Sequence, residues 1–362
     1  KLQKTPLGCK SSSICKIFYP HSNQNIVLLL QKDDYYFYRM KNKLLMKYPS
    51  SWWGAKWREA LPSGNGPIGA AVYGAVHEET VMLTHEDLWH MVVTQELPDV
   101  CSMLPEVRRL LFDRMVHAAD HMIADELTRR GYDPDIGYPL PLGDFKVKMP
   151  VARGFSNYSR GIDMETGEVF VNWHDNGVDY QRKLFVSRAD DIVVMEISSQ
   201  GGDLEAGFSF DIHDPLDART LHHGDTQLPQ AIEKVTTENK FIRYAALNDD
   251  GNDFGAVARI ITPTGVVEAD AEHVHVSGAD KILVVIKLFT HEGRQEAWPR
   301  LEEELDSLCL DYQVLLAPHA ELHGEMFNRV ELDLGAGEAE HEVCNEQLLL
   351  DAYQGEAPTA MV

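Results

Sequence analysis

Between Gly66 and Phe289 the chain alternates apolar and polar residues with a period of two, interrupted by short polar breaks. That period places one side chain in two on a buried face, so it predicts strands. Val193, Met195 and Ile197 alternate with Val194, Glu196 and Ser198. The breaks carry turn chemistry: Thr166-Gly167, Asn176-Gly177, Gly201-Gly202, residues 249–253 and Thr264-Gly265. Asn176-Gly177 lies between residues 169–171 and 178–180. A type I′ turn needs positive φ at both central residues, so this pair predicts a hairpin. A second hairpin or meander is expected at Gly64-Asn65-Gly66-Pro67, with Gly and Asn placed where the backbone needs positive φ. Ile68, Ala70 and Val72 alternate behind it, and the next strand is expected to end in an acidic and aromatic tip, Glu86-Asp87-Leu88-Trp89. Many short strands at close spacing predict a mainly β chain, a large antiparallel two-sheet β-sandwich rather than βαβ units.

Two segments change period. Over residues 104–131, Val107, Leu110, Leu111, Met115 and Ala118 form one helical stripe, and Gly131 is a natural C-terminal stop. Residues 298–330 form a second helical region. There Pro318 should break or kink the helix near Leu316-Ala317, giving two shorter helices.

Charge narrows the function classes. The chain of 362 residues carries 33 basic and 57 acidic side chains, a net charge of -24. Such a surface repels phosphate backbones and anionic lipid, which argues against nucleic-acid and membrane partners and suits a neutral sugar. The longest apolar run, residues 26–30, is far too short to span a bilayer. Cys9, Cys15, Cys101, Cys309 and Cys344 are scattered without metal-ligand spacing and read as reduced thiols. Residues 1–39 hold six basic and two acidic residues, leaving -28 for the remainder. With the start-like Met40 behind them, they are expected to be a non-native or disordered extension. Translation from Met40 would imply a cytoplasmic protein, with secretion not excluded.

Several constellations invite chemistry that their context does not support. His117 and His121 are four apart, a metal-capable spacing, but no third ligand is in view, and a solvated helix face is preferred. His222-His223-Gly224-Asp225 lies in a polar loop, and His273 with His275 is only a pair on one strand face. Residues 249–253 lack the terminal Glu of a calcium loop. Ser199 to Gly202 is a turn without the Lys or helix of a phosphate cradle. No metal and no cofactor is expected.

A longer pattern resembles a known family. Residues 57–89, WREALPSGNGPIGAAVYGAVHEETVMLTHEDLW, are similar to the opening of the N-terminal domain of glycoside hydrolase family 95, the alpha-L-fucosidases. In order follow LPEVRRLLFDRMVHAADHMIADELTRRG, which resembles that family's helical insertion; YPLPLGDF; Tyr158-Ser159-Arg160-Gly161-Ile162-Asp163 with Thr166-Gly167; YQRKLFVS; and MFNRVELDLG. Thr84-His85 departs from the family, which has an Asn before the acidic pair. The resemblance implies a sandwich over residues 40–292 with its insertion at 104–131, linker helices over 293–330, and over 331–362 the start of a catalytic (α/α)6 barrel cut short. It implies inverting hydrolysis of α-L-fucosyl linkages in the full-length protein, with a fucosylated oligosaccharide or glycan as substrate and the protein's own downstream barrel as partner. Glycoside hydrolysis needs a proton donor and a base or nucleophile across the scissile bond. The family's lie on barrel loops, so no catalytic residue is expected in this chain. Asn65, His85, Glu86 and Trp89 could line the edge of the sugar site, although turn and core roles are the plainer reading of them. Glu86 and Asp87, as strand neighbours, should face opposite ways. A related (α/α)6-barrel glycosidase or phosphorylase, or a free-standing carbohydrate-binding sandwich, fits the same pattern.

Overall fold

The computed structural model describes residues 42–50, 56–90, 96–132, 138–213, 230–237, 241–248, 251–332, 334–337, 340, 342–355 and 358–361. The expected extension over 1–39, the His222 to Asp225 loop, Cys9 and Cys15 lie outside the described residues. Lys43–Val362 forms one compact unit.

Two antiparallel sheets make the sandwich. The first has nine strands in the order β1 (Lys43–Met46), β6 (Ser156–Asp163), β7 (Glu168–Asp175), β8 (Val178–Val186), β9 (Val193–Gln200), β16 (Lys281–Thr290), β13 (Asp253–Ile261), β12 (Phe241–Leu247) and β11 (Gln230–Thr236). The second has seven: β14 (Val266–Ala269), β15 (Val274–Ala279), β10 (Leu204–Asp211), β5 (Tyr138–Lys148), β4 (Glu78–His90), β3 (Ile68–Val72) and β2 (Leu61–Gly64). The expected turns at Thr166-Gly167, Asn176-Gly177, Gly201-Gly202 and Thr264-Gly265 fall between them, while residues 249 and 250 of the remaining one lie outside the described residues. Asp175 pairs with Val178 across Asn176 (φ 51°) and Gly177 (φ 85°), both left-handed as a type I′ turn requires.

Alternate residues of both sheets meet in one core. Val193, Met195 and Ile197 share it with Phe145, Phe208 and Phe210, and Phe145 packs edge-on to Phe210 at 5.1 Å between ring centres. A second apolar cluster lies on the other side of the nine-stranded sheet. There helices α3 (Arg294–Ser307) and α4 (Tyr312–Phe327) place Trp298, Leu301, Leu305, Leu315 and Leu316 against Phe185, Val194, Val257 and Val285.

Both helical expectations need correction in detail. Residues 104–131 form two helices, α1 (Leu104–Phe112) and α2 (Val116–Arg129), separated at Arg114, whose φ is 60°. The break lets α1 fold back so that Val107 and Leu110 pack with Ala119, while Leu111 and Met115 are exposed rather than in the buried stripe. Gly131 does stop the helix: its N–H donates to Thr128 and that of Tyr132 to Leu127, a Schellman closure with φ 79° at the glycine. Pro318 does not separate the later helices. The break falls at residues 308–311, and Pro318 is inside α4. Asp311 starts α4 by accepting from the N–H groups of Gln313 (2.9 Å) and Val314 (3.1 Å). The exposed Pro318 removes one helical donor, and burial of Leu315, Leu316 and His319 on the sandwich holds the helix through it.

Helix α5 (Asn345–Tyr353) returns to β1. Asn345 Oδ1 accepts from Leu45 N at 2.9 Å, and Glu346 Oε1 from Lys47 N at 2.8 Å and Tyr48 N at 3.2 Å.

Candidate functional site

Asn65 sits in the β2–β3 connection, where only Gly66 takes a left-handed φ (117°). The expected positive φ at Asn65 is absent because its side chain closes the turn instead. Oδ1 accepts from Ile68 N (2.9 Å), while Nδ2 donates to the carbonyl of Ser187 (2.9 Å) and to Asp191 (2.8 Å). Asn65 therefore ties the seven-stranded sheet to the β8–β9 turn.

The other three expected residues stay together on β4. The strand runs through them to His90, so they are not a terminal tip. The β4–β5 ladder is interrupted between Thr84 and Trp89. Across that gap strict alternation lapses, and Glu86 and Asp87 are both exposed instead of facing opposite ways, while Leu88 is buried. The His85 Nδ1 accepts from Asp87 N (3.2 Å), and the Trp89 indole donates to the Glu86 carbonyl (2.7 Å). Asn248 donates to the Trp89 carbonyl (3.1 Å), and His291 Nε2 lies 3.1 Å from that of Asp87. Glu86 N donates to the Pro67 carbonyl (2.8 Å), so the two regions touch through backbone while the Asn65 side chain turns away.

A seam that periodicity did not reveal lies where α4 meets the sandwich. Arg188, in the β8–β9 turn, donates from its backbone N–H to His319 Nδ1 (3.1 Å), from Nε to His323 Nδ1 (3.4 Å), and from Nη1 to the Asn65 carbonyl (3.2 Å). On their far sides His319 Nε2 meets the Thr166 carbonyl (2.8 Å) and His323 Nε2 that of Met164 (3.0 Å). The rings continue a column: Phe185 stacks on His319 at 4.9 Å, His323 lies 5.6 Å from His319, and Phe327 lies 6.4 Å from His323. His319 is buried, and that burial lowers its pKa to about 4. A cleft of about 240 Å³ opens beside the column, lined by Pro62, Ile162, Met164 and Phe327 among others.

The arginines of the two family-like motifs turn inward. Arg160 donates to the carbonyls of Tyr48 (2.7 Å) and Glu59 (2.6 Å), and the Tyr158 hydroxyl to that of Gly74 (2.6 Å). Arg182 forms a fully buried ion pair with Glu79 and lies 5.2 Å from the Trp173 ring centre. Burial pushes the Glu79 carboxyl up, opposed by Arg182 and by the N–H groups of Gly74 and Thr80. These residues lock the strands together; they do not face a ligand space.

Residues 44–292 match the family described as glycosyl hydrolase family 65, N-terminal domain. The chain belongs to that family. The earlier resemblance is thus met as a glycoside hydrolase N-terminal domain. Over 183 residues the chain is 29% identical to alpha-L-fucosidase 2 of Arabidopsis thaliana, covering 48% of this chain and 20% of that protein. It therefore spans about a fifth of that relative's length. Among solved structures, a kojibiose phosphorylase from human microbiome shares 10% identity, with a TM-score of 0.47, over 78% of this chain and 39% of its own. A bacterial glucoamylase complexed with acarbose shares 9% over 79% and 40%, with a TM-score of 0.33.

In this family domain the remaining candidates sort by exposure. His117 and His121 lie on the exposed face of α2. His273 and His275 stack at 6.0 Å, both near Asp270 (3.1 and 3.7 Å), on open surface. Among the described residues no group of three or more His, Cys, Asp or Glu side chains is arranged to hold a metal. Cys101, Cys309 and Cys344 are free thiols. A groove of about 510 Å³ on the seven-stranded sheet includes Glu205 and Glu268, both exposed. No helix among the described residues is long and apolar enough to cross a membrane.

Proposed function

We propose that this chain serves as the N-terminal domain of a longer glycoside hydrolase that removes terminal α-L-fucosyl groups from glycans with inversion, and that the domain itself cleaves no bond. The observation that carries the reading is the 183-residue stretch 29% identical to a protein named for fucosidase activity. The β4 end supports a rim role: His85, Glu86 and Trp89 share one strand end, with Glu86 and Trp89 exposed. A second feature supports attachment to another domain. On α4 the apolar residues Val314, Pro318, Leu322 and Met326 recur every four positions and are exposed, and Val330 and Leu332 beyond its end are exposed too. An exposed apolar stripe of that kind suits a packed partner, in this reading a catalytic barrel of the same protein. A related glycosidase or phosphorylase is the second reading, favoured by the family 65 match.

The test is a fluorogenic α-L-fucoside assay on the chain and on the longer protein, with and without inorganic phosphate, and with NMR identification of the first sugar anomer. Fucose should come only from the longer protein, independent of phosphate, with inverted configuration. Sugar phosphate as product would favour the phosphorylase. Turnover by the chain alone, abolished by Glu86→Gln, would place the chemistry in the sandwich and overturn the proposal.

A further inference from the structure

We infer that the paired imidazoles of His319 and His323, both held by Arg188, make the seat of α4 an acid-released latch. The hydrogen-bond pattern fixes the chemistry. Each Nδ1 accepts from a nitrogen of Arg188, which is always a donor, so neither Nδ1 can carry a proton. Each Nε2 faces a carbonyl oxygen and must carry one. Both rings are therefore neutral Nε2–H tautomers in the seated state. A second proton on Nδ1 would set N–H against N–H and bring a cation beside a guanidinium.

His323 and Arg188 themselves disfavour a charge on His319, and the neighbouring carboxylates hydrogen-bond to other groups. On the β8–β9 turn, Asp190 is engaged by Ser187 and Asp191 by Asn65. On the β6–β7 side, Glu168 accepts from Tyr312 and Thr166, and Asp163 accepts from Glu165 N. Glu165 lies in the same β6–β7 turn, two residues from Gly167. Lys183 stands 6.0 Å from the Tyr312 ring centre and adds positive charge at the head of the helix. A carbon added at Gly167 would come 3.1 Å from His323 and 3.3 Å from His319, so the β6–β7 turn closes that side of the rings, while the cleft borders them on another.

The sign follows from the lowered His319 value. A released α4 exposes an imidazole with the ordinary value near 6.5, whereas burial holds the seated one at about 4. The released form binds more protons, so the seat weakens as pH falls from about 6.5 toward 4 and is unaffected above that window. Each unit is a tenfold change, so the seating equilibrium should shift on the order of a hundredfold. Tyr312, Leu315 and Leu316 still anchor the first half of α4, so release should be local to its second half.

Hydrogen–deuterium exchange on the whole chain at pH 7, 5.5 and 4.5, corrected for intrinsic rates, tests this. Amides of residues 319–327 should lose protection at least tenfold by pH 4.5 while β9 and β16 stay protected. His319→Gln, which can accept and donate at similar positions, should keep the seat at pH 7 and flatten the acid response. In wild type, ¹⁵N NMR should show both rings as Nε2–H tautomers, with His319 titrating well below pH 6. Loss of protection in α4 only together with the sheets, an unchanged acid response in His319→Gln, or His319 titrating above pH 6 would each overturn the latch. The NMR titration stands even where the variant does not fold.

Discussion

The two sheets solve burial differently, and their strands show it. In the nine-stranded sheet, β9 and β16 carry unbroken apolar runs, VVM and ILVVI, because the second sheet covers one face and α3 and α4 cover the other. In the seven-stranded sheet, β10 reads LEAGFSFD with strict alternation, its Leu204, Ala206, Phe208 and Phe210 inward and Glu205 and Asp211 exposed. Two-sided burial erases the period of two; one-sided burial preserves it. The position of the helical layer is therefore written in the strands beneath it as much as in the helices.

The largest test of that contrast is Val194→Asp. The side chain is fully buried against the helix layer, so an unpaired carboxylate there should cost more than about 4 kcal/mol and leave the chain unfolded in a urea titration. If Val194→Asp folds with a near-native midpoint, the helix layer does not seal that face. Next comes the ion pair between the sheets. Arg182→Ala leaves Glu79 buried without its cation and should lower stability by about 3–5 kcal/mol. The double variant Arg182→Met, Glu79→Leu should recover much of it, and simple additivity in the cycle it closes with Arg182→Met and Glu79→Leu as single variants would deny the coupling. A turn contributes less. Gly177→Val forces a β-branched residue to φ 85° and should cost about 1–2 kcal/mol, with no added clash because the space above Gly177 is open. The smallest effect belongs to the open face: Glu205→Ala should shift stability by less than about 0.5 kcal/mol. A loss above 2 kcal/mol would show that something covers that face.

Alternation and turn chemistry made the sandwich legible before any coordinates, and Asn176-Gly177 adopted the turn its residues demand. The helix boundaries were less legible because tertiary burial overrode local rules. Pro318 is a strong breaker taken alone, yet α4 runs through it with Leu315, Leu316 and His319 seated on the sheet. Residues 104–131 looked continuous because nothing local announces a left-handed Arg114. Within the candidate site, strand position placed His85, Glu86 and Trp89 together, but not the ladder gap that exposes both Glu86 and Asp87. The seam was out of reach for a different reason. His117 with His121 and His319 with His323 have the same spacing of four, yet one pair is solvated and the other is held by an arginine more than a hundred residues away. Spacing describes a helix face; only the fold decides what that face meets.

The return of α5 to β1 has a consequence for how copies of this protein behave in solution. Among the described residues β1 is the terminal strand of its sheet, and the outward N–H groups of Leu45 and Lys47 would otherwise offer a template on which a neighbouring chain could add a strand. Asn345 and Glu346 occupy those donors with side-chain oxygens, which accept hydrogen bonds but cannot propagate a ladder. Resistance to edge-to-edge assembly at this margin thus depends on two side chains three hundred residues away, and a cut anywhere before Asn345 would trade a closed sheet margin for an adhesive one.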